Sequence, residues 1–187
     1  MATASDVGVR ALMAGRLVVH PTDTLYALAA RAADRTAVAR VVAAKGRPTG
    51  QPLSVSVSSV EELDRWARLS VSGRSFARRR LPGPFTVLAR PTEEARRRLA
   101  PEVARAPRIG LRVPAHPLAR ELARRAGPLV ATSANRSGEP PCRSLADARR
   151  TFGTEVTAYL AVPPRPSGVA STLVDLAGAR PREVPRR

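Results

Sequence analysis

The sequence predicts an α/β domain, a single open mixed sheet flanked by helices. Three observations carry that prediction. Helical periodicities and short apolar runs alternate along the chain without a repeat period. Several connections are too short for crossover helices, so antiparallel pairs must interrupt any parallel order. The strand-like runs also end in small polar or cationic residues, as open α/β sheets do where they present ligand groups. At 187 residues the chain is one domain's worth and buries about 70% of its unfolded surface. No linker divides it, and the domain is placed at residues 5–180 with a short basic tail at 181–187.

The elements follow in order. Ser5 and Asp6 start a helix carrying Val9, Leu12 and Met13 as far as Gly15. A strand at Leu17 to Val19 gives way to turn formers at His20-Pro21-Thr22-Asp23-Thr24, then to a structured loop holding Leu25, Tyr26 and Leu28 against the core. Val38, Val41 and Val42 mark a helix that stops near Gly46. Leu53, Val55 and Val57 alternate with serines as a strand with one polar face, and Ser59 caps a helix through Leu63 and Trp66. An Arg-rich helix through Phe76 precedes a break at Leu81-Pro82-Gly83-Pro84. Phe85 to Ala89 reads as strand, Glu93 to Leu99 as helix, and Ile109 to Val113 as strand. Pro117 to Ala126 is a helix ended by Gly127, and Leu129 to Thr132 a strand entering the loop Ser133-Ala134-Asn135-Arg136-Ser137-Gly138. Leu145 to Phe152 reads as helix, with strands at Val156 to Val162 and Ser171 to Leu176.

Composition narrows the function classes. Only 3% of residues are aromatic, so Ala, Val and Leu must fill the core. There is no apolar run near 18 residues and no signal-peptide pattern, which places the chain in the cytoplasm and away from membranes. Cys142 is alone, and the histidines, His20 and His116, lie far apart in sequence, so a disulfide or metal centre is not expected. The net charge of +17 attracts polyanions. Runs such as Arg78-Arg79-Arg80 serve equally as solvated helix faces, and aromatics interleaved for base stacking are absent. Lys45, Asn135 and Gln51 are each the single residue of their kind against 31 arginines. In a composition skewed toward GC-rich codons, their persistence points to chemical need.

The strand ends supply an ammonium, guanidiniums, hydroxyls and an amide, with no phosphate-binding Gly-rich loop, nucleophile elbow or triad. That inventory suits binding and polarising anions, such as a triphosphate and a carboxylate, and it is sufficient for nucleotidyl transfer by positioning and charge neutralisation. Without further signal, Thr22 and Thr24 read as turn caps, while Arg112 in an apolar strand requires a partner.

Six segments, in order, carry a resemblance: His20-Pro21-Thr22-Asp23-Thr24-Leu25-Tyr26, Lys45-Gly46-Arg47-Pro48 with Pro52-Leu53-Ser54, Pro82-Gly83-Pro84-Phe85-Thr86, Arg112-Val113-Pro114 with His116-Pro117, Ser133-Ala134-Asn135 with Ser137-Gly138, and Ser171-Thr172-Leu173-Val174-Asp175. Together they resemble the YrdC-like threonylcarbamoyl-AMP synthases. The resemblance implies a twisted single domain with a basic concave face. It also implies synthesis of L-threonylcarbamoyladenylate and pyrophosphate from L-threonine, bicarbonate and ATP, with Mg²⁺ carried by the nucleotide. The product serves the t6A modification of tRNA through a downstream transferase, and RNA or tRNA contact falls on the basic face. Lys45 and Arg47 are the implied catalytic cations. Lys45, Arg47, Thr49, Arg108, Ser133, Asn135, Pro141 and Arg186 are implied to bind nucleotide, and Thr22, Ser54, Arg112, Ala131 and Ser171 the amino acid. Two departures stand out: Ala27 and Ala29 replace frequent family glycines, and a positive φ at Ala27 would cost about 1 kcal/mol. A non-catalytic RNA-binding paralogue, and a related enzyme forming carbamoyl-adenylate on another acceptor, remain alternatives.

Overall fold

Short apolar runs pair into one twisted open mixed sheet with helices on both faces, in a computed structural model that describes residues 2–48 and 53–185. The helices are α1 (Ala4–Met13), α2 (Arg35–Lys45), α3 (Leu63–Trp66), α4 (Val71–Arg80), α5 (Glu93–Arg98), α6 (Pro101–Ala104), α7 (Pro117–Ala126) and α8 (Leu145–Phe152). The strands are β1 (Val18–Pro21), β2 (Tyr26–Arg31), β3 (Ser54–Ser56), β4 (Ala67–Arg68), β5 (Phe85–Pro91), β6 (Ile109–Arg112), β7 (Leu129–Ser133), β8 (Ala158–Tyr159), β9 (Thr172–Asp175) and β10 (Arg182–Val184). Among the described residues the order is β10-β9-β5-β6-β3-β7-β2-β1-β8, with β4 joined to β5 off that path. Pairs β3–β6, β5–β9 and β1–β8 are parallel and the others antiparallel.

The helices end where local chemistry stops them. Thr3 caps α1 with a capping box to Asp6. Pro117 opens α7 and Gly127 closes it. At the end of α2, Gly46 adopts φ +58° and Arg47 N–H returns to the Val42 carbonyl at 3.1 Å, a left-handed stop that only glycine enters without strain. On one face α1 and α7 bury Leu12, Leu118 and Leu122 against Val18, Leu129 and Leu160. On the other, Val38 and Val41 of α2 join Leu28, Val55, Leu111 and Val130. The core is Ala, Val and Leu, as the scarcity of aromatics requires.

Three expectations are corrected. Tyr26 and Leu28, expected in a structured loop, belong to β2 (Tyr26–Arg31) in a hairpin with β1, and His20 and Pro21 belong to β1. Ser59 caps no helix. Ser58 instead bonds Glu62, and α3 begins only at Leu63 without a side-chain cap. The residues assigned to a tail include β10, which pairs with β9, so the boundary at 180 does not hold.

Candidate active site

One cavity of about 760 Å³ opens where α2, β6 and β7 end, where β3 begins at Ser54, and where the 22–25 turn and Ser171 meet them. Its first wall comes from α2 and the loop after β7. Lys45, the last residue of α2, is 2% exposed. Its Nζ donates to the Ser133 carbonyl and to Asn135 Oδ1, both at 2.8 Å. Burial, and next the charge of Arg47, push the ammonium down to about 8 from its ordinary 10.5, with Cys142 opposing weakly. Burial lowers the Arg47 guanidinium as well. The loop is welded to α2. Ser137 N–H donates to the Lys45 carbonyl at 2.7 Å, and Arg136 donates to the Ala44 and Thr151 carbonyls and pairs with Glu155.

Asn135 ties the loop after β7 to Lys45. Its Nδ2 donates to the carbonyls of Arg136 at 2.9 Å and Glu139 at 2.6 Å. Its Oδ1 accepts from Lys45 and from Ser133 Oγ at 2.7 Å. Two donors and two acceptor positions are therefore used within the protein. The amide builds the loop and aims Lys45 at the cavity, which Asn135 itself lines.

The second wall is organised by Arg112 at the end of β6. Its Nη2 donates to Asp23 Oδ1 at 2.9 Å and to Thr24 Oγ1 at 3.1 Å, in a pair whose side chains are 10% and 14% exposed. The partner that an arginine in an apolar strand requires is thus Asp23. Thr22 is a turn builder. Its Oγ1 donates to the Leu25 carbonyl at 2.7 Å and accepts from the Thr24 and Leu25 amides, each at 3.2 Å. Its hydroxyl is committed there, as the turn-cap reading foresaw, although Thr22 lines the cavity. Residues 167–168 brace the same turn through bonds to the Asp23 and Thr24 carbonyls, and the buried Ser171 also lines the cavity. Ser171 Oγ lies 2.8 Å from Thr86 Oγ1.

Of the expected site residues, Thr22, Lys45, Arg47, Ser54, Arg112, Ala131, Ser133, Asn135, Pro141 and Ser171 line this one cavity. Arg108 does not; it is held by Asp175 at 3.4 Å. Thr49 and Arg186 lie outside the described residues. Thr24, Tyr26, Ala27 and Thr86 line the cavity without having been assigned a part, although the quoted motif segments or their immediate edge contain each of them. Ala27 sits in β2 opposite Ser133, and no described residue other than glycine has a positive φ. The feared backbone strain at Ala27 is therefore absent. The two histidines, distant in sequence, are electrostatic neighbours, and burial holds His20 down at about 4, with the charges of His116 and Arg112 adding to it. Neither lines the cavity, and no group of three metal-ligating side chains occurs among the described residues. No helix among them is long and apolar enough to cross a membrane.

Comparison with known proteins agrees with this geometry. Residues 10–187 match the Sua5/YciO/YrdC profile, described as telomere recombination. A Mycobacterium tuberculosis relative is 38% identical over 175 residues, covering 93% of this chain and 79% of that protein. A Chromohalobacter salexigens protein named threonylcarbamoyl-AMP synthase is 38% identical over 151 residues, 80% of each chain. The crystal structure of Pyrococcus abyssi Sua5 complexed with L-threonine superposes with a TM-score of 0.86 at 30% identity, covering 98% of this chain and 54% of that one. This chain therefore spans about half of that archaeal protein and most of the two bacterial ones. Its fold and nearly all of its length have counterparts there, and the chain belongs to the Sua5/YciO/YrdC family.

Proposed function

We propose that the chain is an L-threonylcarbamoyladenylate synthase, converting L-threonine, bicarbonate and ATP into threonylcarbamoyl-AMP and pyrophosphate. The observation that carries this reading is the pair of separate cationic stations in one cavity. Lys45 and Arg47 stand at the end of α2, and Arg112 at the end of β6. The first suits the phosphates of a nucleotide, with Lys45 as a point charge and Arg47 as a fork. The second suits the single carboxylate of an amino acid. Ser54 and Ser171 add hydroxyls beside Arg112, Thr22 and Thr24 shape the turn, and Ser133 and Pro141 border the nucleotide side.

The chemistry needs no nucleophile from the protein. The threonine amine adds to the carbon of bicarbonate with loss of water. The resulting carbamate oxygen attacks the α-phosphorus of ATP, and the bond from that phosphorus to the bridging oxygen breaks as pyrophosphate leaves. Both steps call for alignment and for positive charge near the phosphates, which Lys45 and Arg47 provide in a partly desolvated site. None of the lining residues is Asp or Glu, so Mg²⁺ would arrive on the triphosphate, where it offsets charge on the leaving group. The net charge of +17 supports a basic face that attracts RNA in a salt-dependent way. The test is direct. Pyrophosphate release should require ATP, L-threonine and bicarbonate together, and Lys45→Ala should abolish it. Release that ignores threonine would reject the reading.

A further inference from the structure

We infer that Gly110 is a positioning residue for the amino-acid side of the cavity, because its missing side chain keeps the Ser54 hydroxyl where it is. Gly110 faces Ser54 across the parallel β3–β6 pair and Leu88 across the antiparallel β5–β6 pair. A Cβ built on Gly110 lies 2.9 Å from Ser54 Oγ, 3.4 Å from Leu88 Cδ2 and 3.5 Å from Ser54 Cβ. The last two separations are ordinary or nearly so. The first is too short for a carbon and an oxygen that are not bonded to each other. Side chains alternate along a strand, so Gly110 and Arg112 share one face of β6, two residues apart. Ser54 and Arg112 both line the cavity and Gly110 does not, so Gly110 acts only through its neighbour.

The response to an added methyl follows from the geometry. Ser54 Oγ hangs on one rotatable bond with three staggered positions, so rotation about χ1 relieves the contact without moving backbone. A Gly110→Ala chain therefore keeps its fold and its nucleotide side, while the hydroxyl turns away from the place it holds beside Arg112. The sheet accepts the methyl and the substrate loses a hydrogen-bonding partner. Sequence alone offers no way to see this, since Ser54 and Gly110 are 56 positions apart and meet only through the strand register.

The inference rests on the reading that Ser54 holds the amino acid, and calorimetry on the full chain separates the two. L-threonine and ATP are titrated into the parent, Ser54→Ala, Gly110→Ala and the double variant. Ser54→Ala should weaken threonine about five- to tenfold, the weight of one hydrogen bond. Gly110→Ala should match that loss with ATP affinity unchanged. The double variant should bind like Ser54→Ala alone, because removing Oγ leaves the new methyl only the 3.5 Å contact to Cβ. Gly110→Ala binding threonine like the parent, weakening ATP equally, or adding its loss to that of Ser54→Ala overturns the inference and leaves the substrate reading intact. Ser54→Ala binding threonine like the parent overturns both. If Gly110→Ala fails to fold while the double variant folds and binds like Ser54→Ala, the contact with Oγ is confirmed as the cause; if both fail, the steric argument is refuted.

Discussion

The pH dependence of nucleotide binding follows from the burial of Lys45. In the unliganded protein its ammonium sits at about 8 rather than 10.5, chiefly because burial penalises the charge. A triphosphate beside Nζ favours the charged form and returns it toward the ordinary value. Binding then takes up a proton wherever the free protein has already lost one. If the full displacement is recovered, affinity at high pH is weaker by up to about 300-fold, and between about pH 7 and 9.5 the fall is roughly 25-fold. The sign for the free fold is opposite. The unfolded chain holds this proton up to 10.5, so the folded chain gains stability as pH rises from about 8 toward 10.5. Titration calorimetry of ATP at constant ionic strength, repeated in buffers of different ionisation enthalpy, reads both the affinity and the proton taken up. Lys45→Met should bind more weakly and show no such slope. An affinity in the parent that stays flat across this range, with no proton uptake, would refute the assignment of Lys45 to the phosphates.

Three other substitutions probe the scaffold. Asn135→Asp places a carboxylate against Lys45. It should raise the pH at which ATP affinity falls, weaken ATP near neutrality, and cost about 2 kcal/mol in denaturant unfolding, since two carbonyls lose their donors. Asp23→Ala removes the carboxylate that pairs with the largely buried Arg112 guanidinium and should destabilise by about 3–5 kcal/mol, whereas the double change with Arg112→Met should recover most of that loss. Ala27→Gly should lower stability by about 0.5–1 kcal/mol without raising turnover, because Ala27 lies in a strand with no positive φ to relieve. A faster Ala27→Gly enzyme would show instead that the methyl crowds the ligand.

What the sequence made legible was whatever local chemistry decides. The spans of α7 and α8 follow from Pro117, Gly127 and the apolar spacing, and the stop of α2 follows from Gly46. Strand β2 escaped because Tyr26–Ala30 is buried on both faces and so shows no alternation to read. At the site the limit has a different source. Rarity and motif membership single out Asn135 and Thr22, but they do not distinguish a group that touches ligand from one that holds the group that does. The partners that decide the matter for Asn135 include Lys45, 90 residues away. Arg108 lies outside the cavity lining, and its engagement with Asp175 joins positions 67 apart.

The two cationic stations are restrained by different kinds of oxygen, and the difference bears on what each can recognise. Arg112 is held by the carboxylate of Asp23, so much of its charge is already balanced and what it offers is mainly the directed geometry of a fork. Lys45 is held by two neutral oxygens, a backbone carbonyl and an amide. These fix its position without cancelling its charge, and the lowered pKa is the thermodynamic trace of that uncompensated burial. A ligand with several negative charges gains most by relieving Lys45, and one with a single planar carboxylate loses least by sharing Arg112 with Asp23. Exchanging the restraints would reverse that preference. The orientation of a nucleotide and an amino acid in one cavity is therefore set as much by the acceptors behind the cations as by the cations themselves.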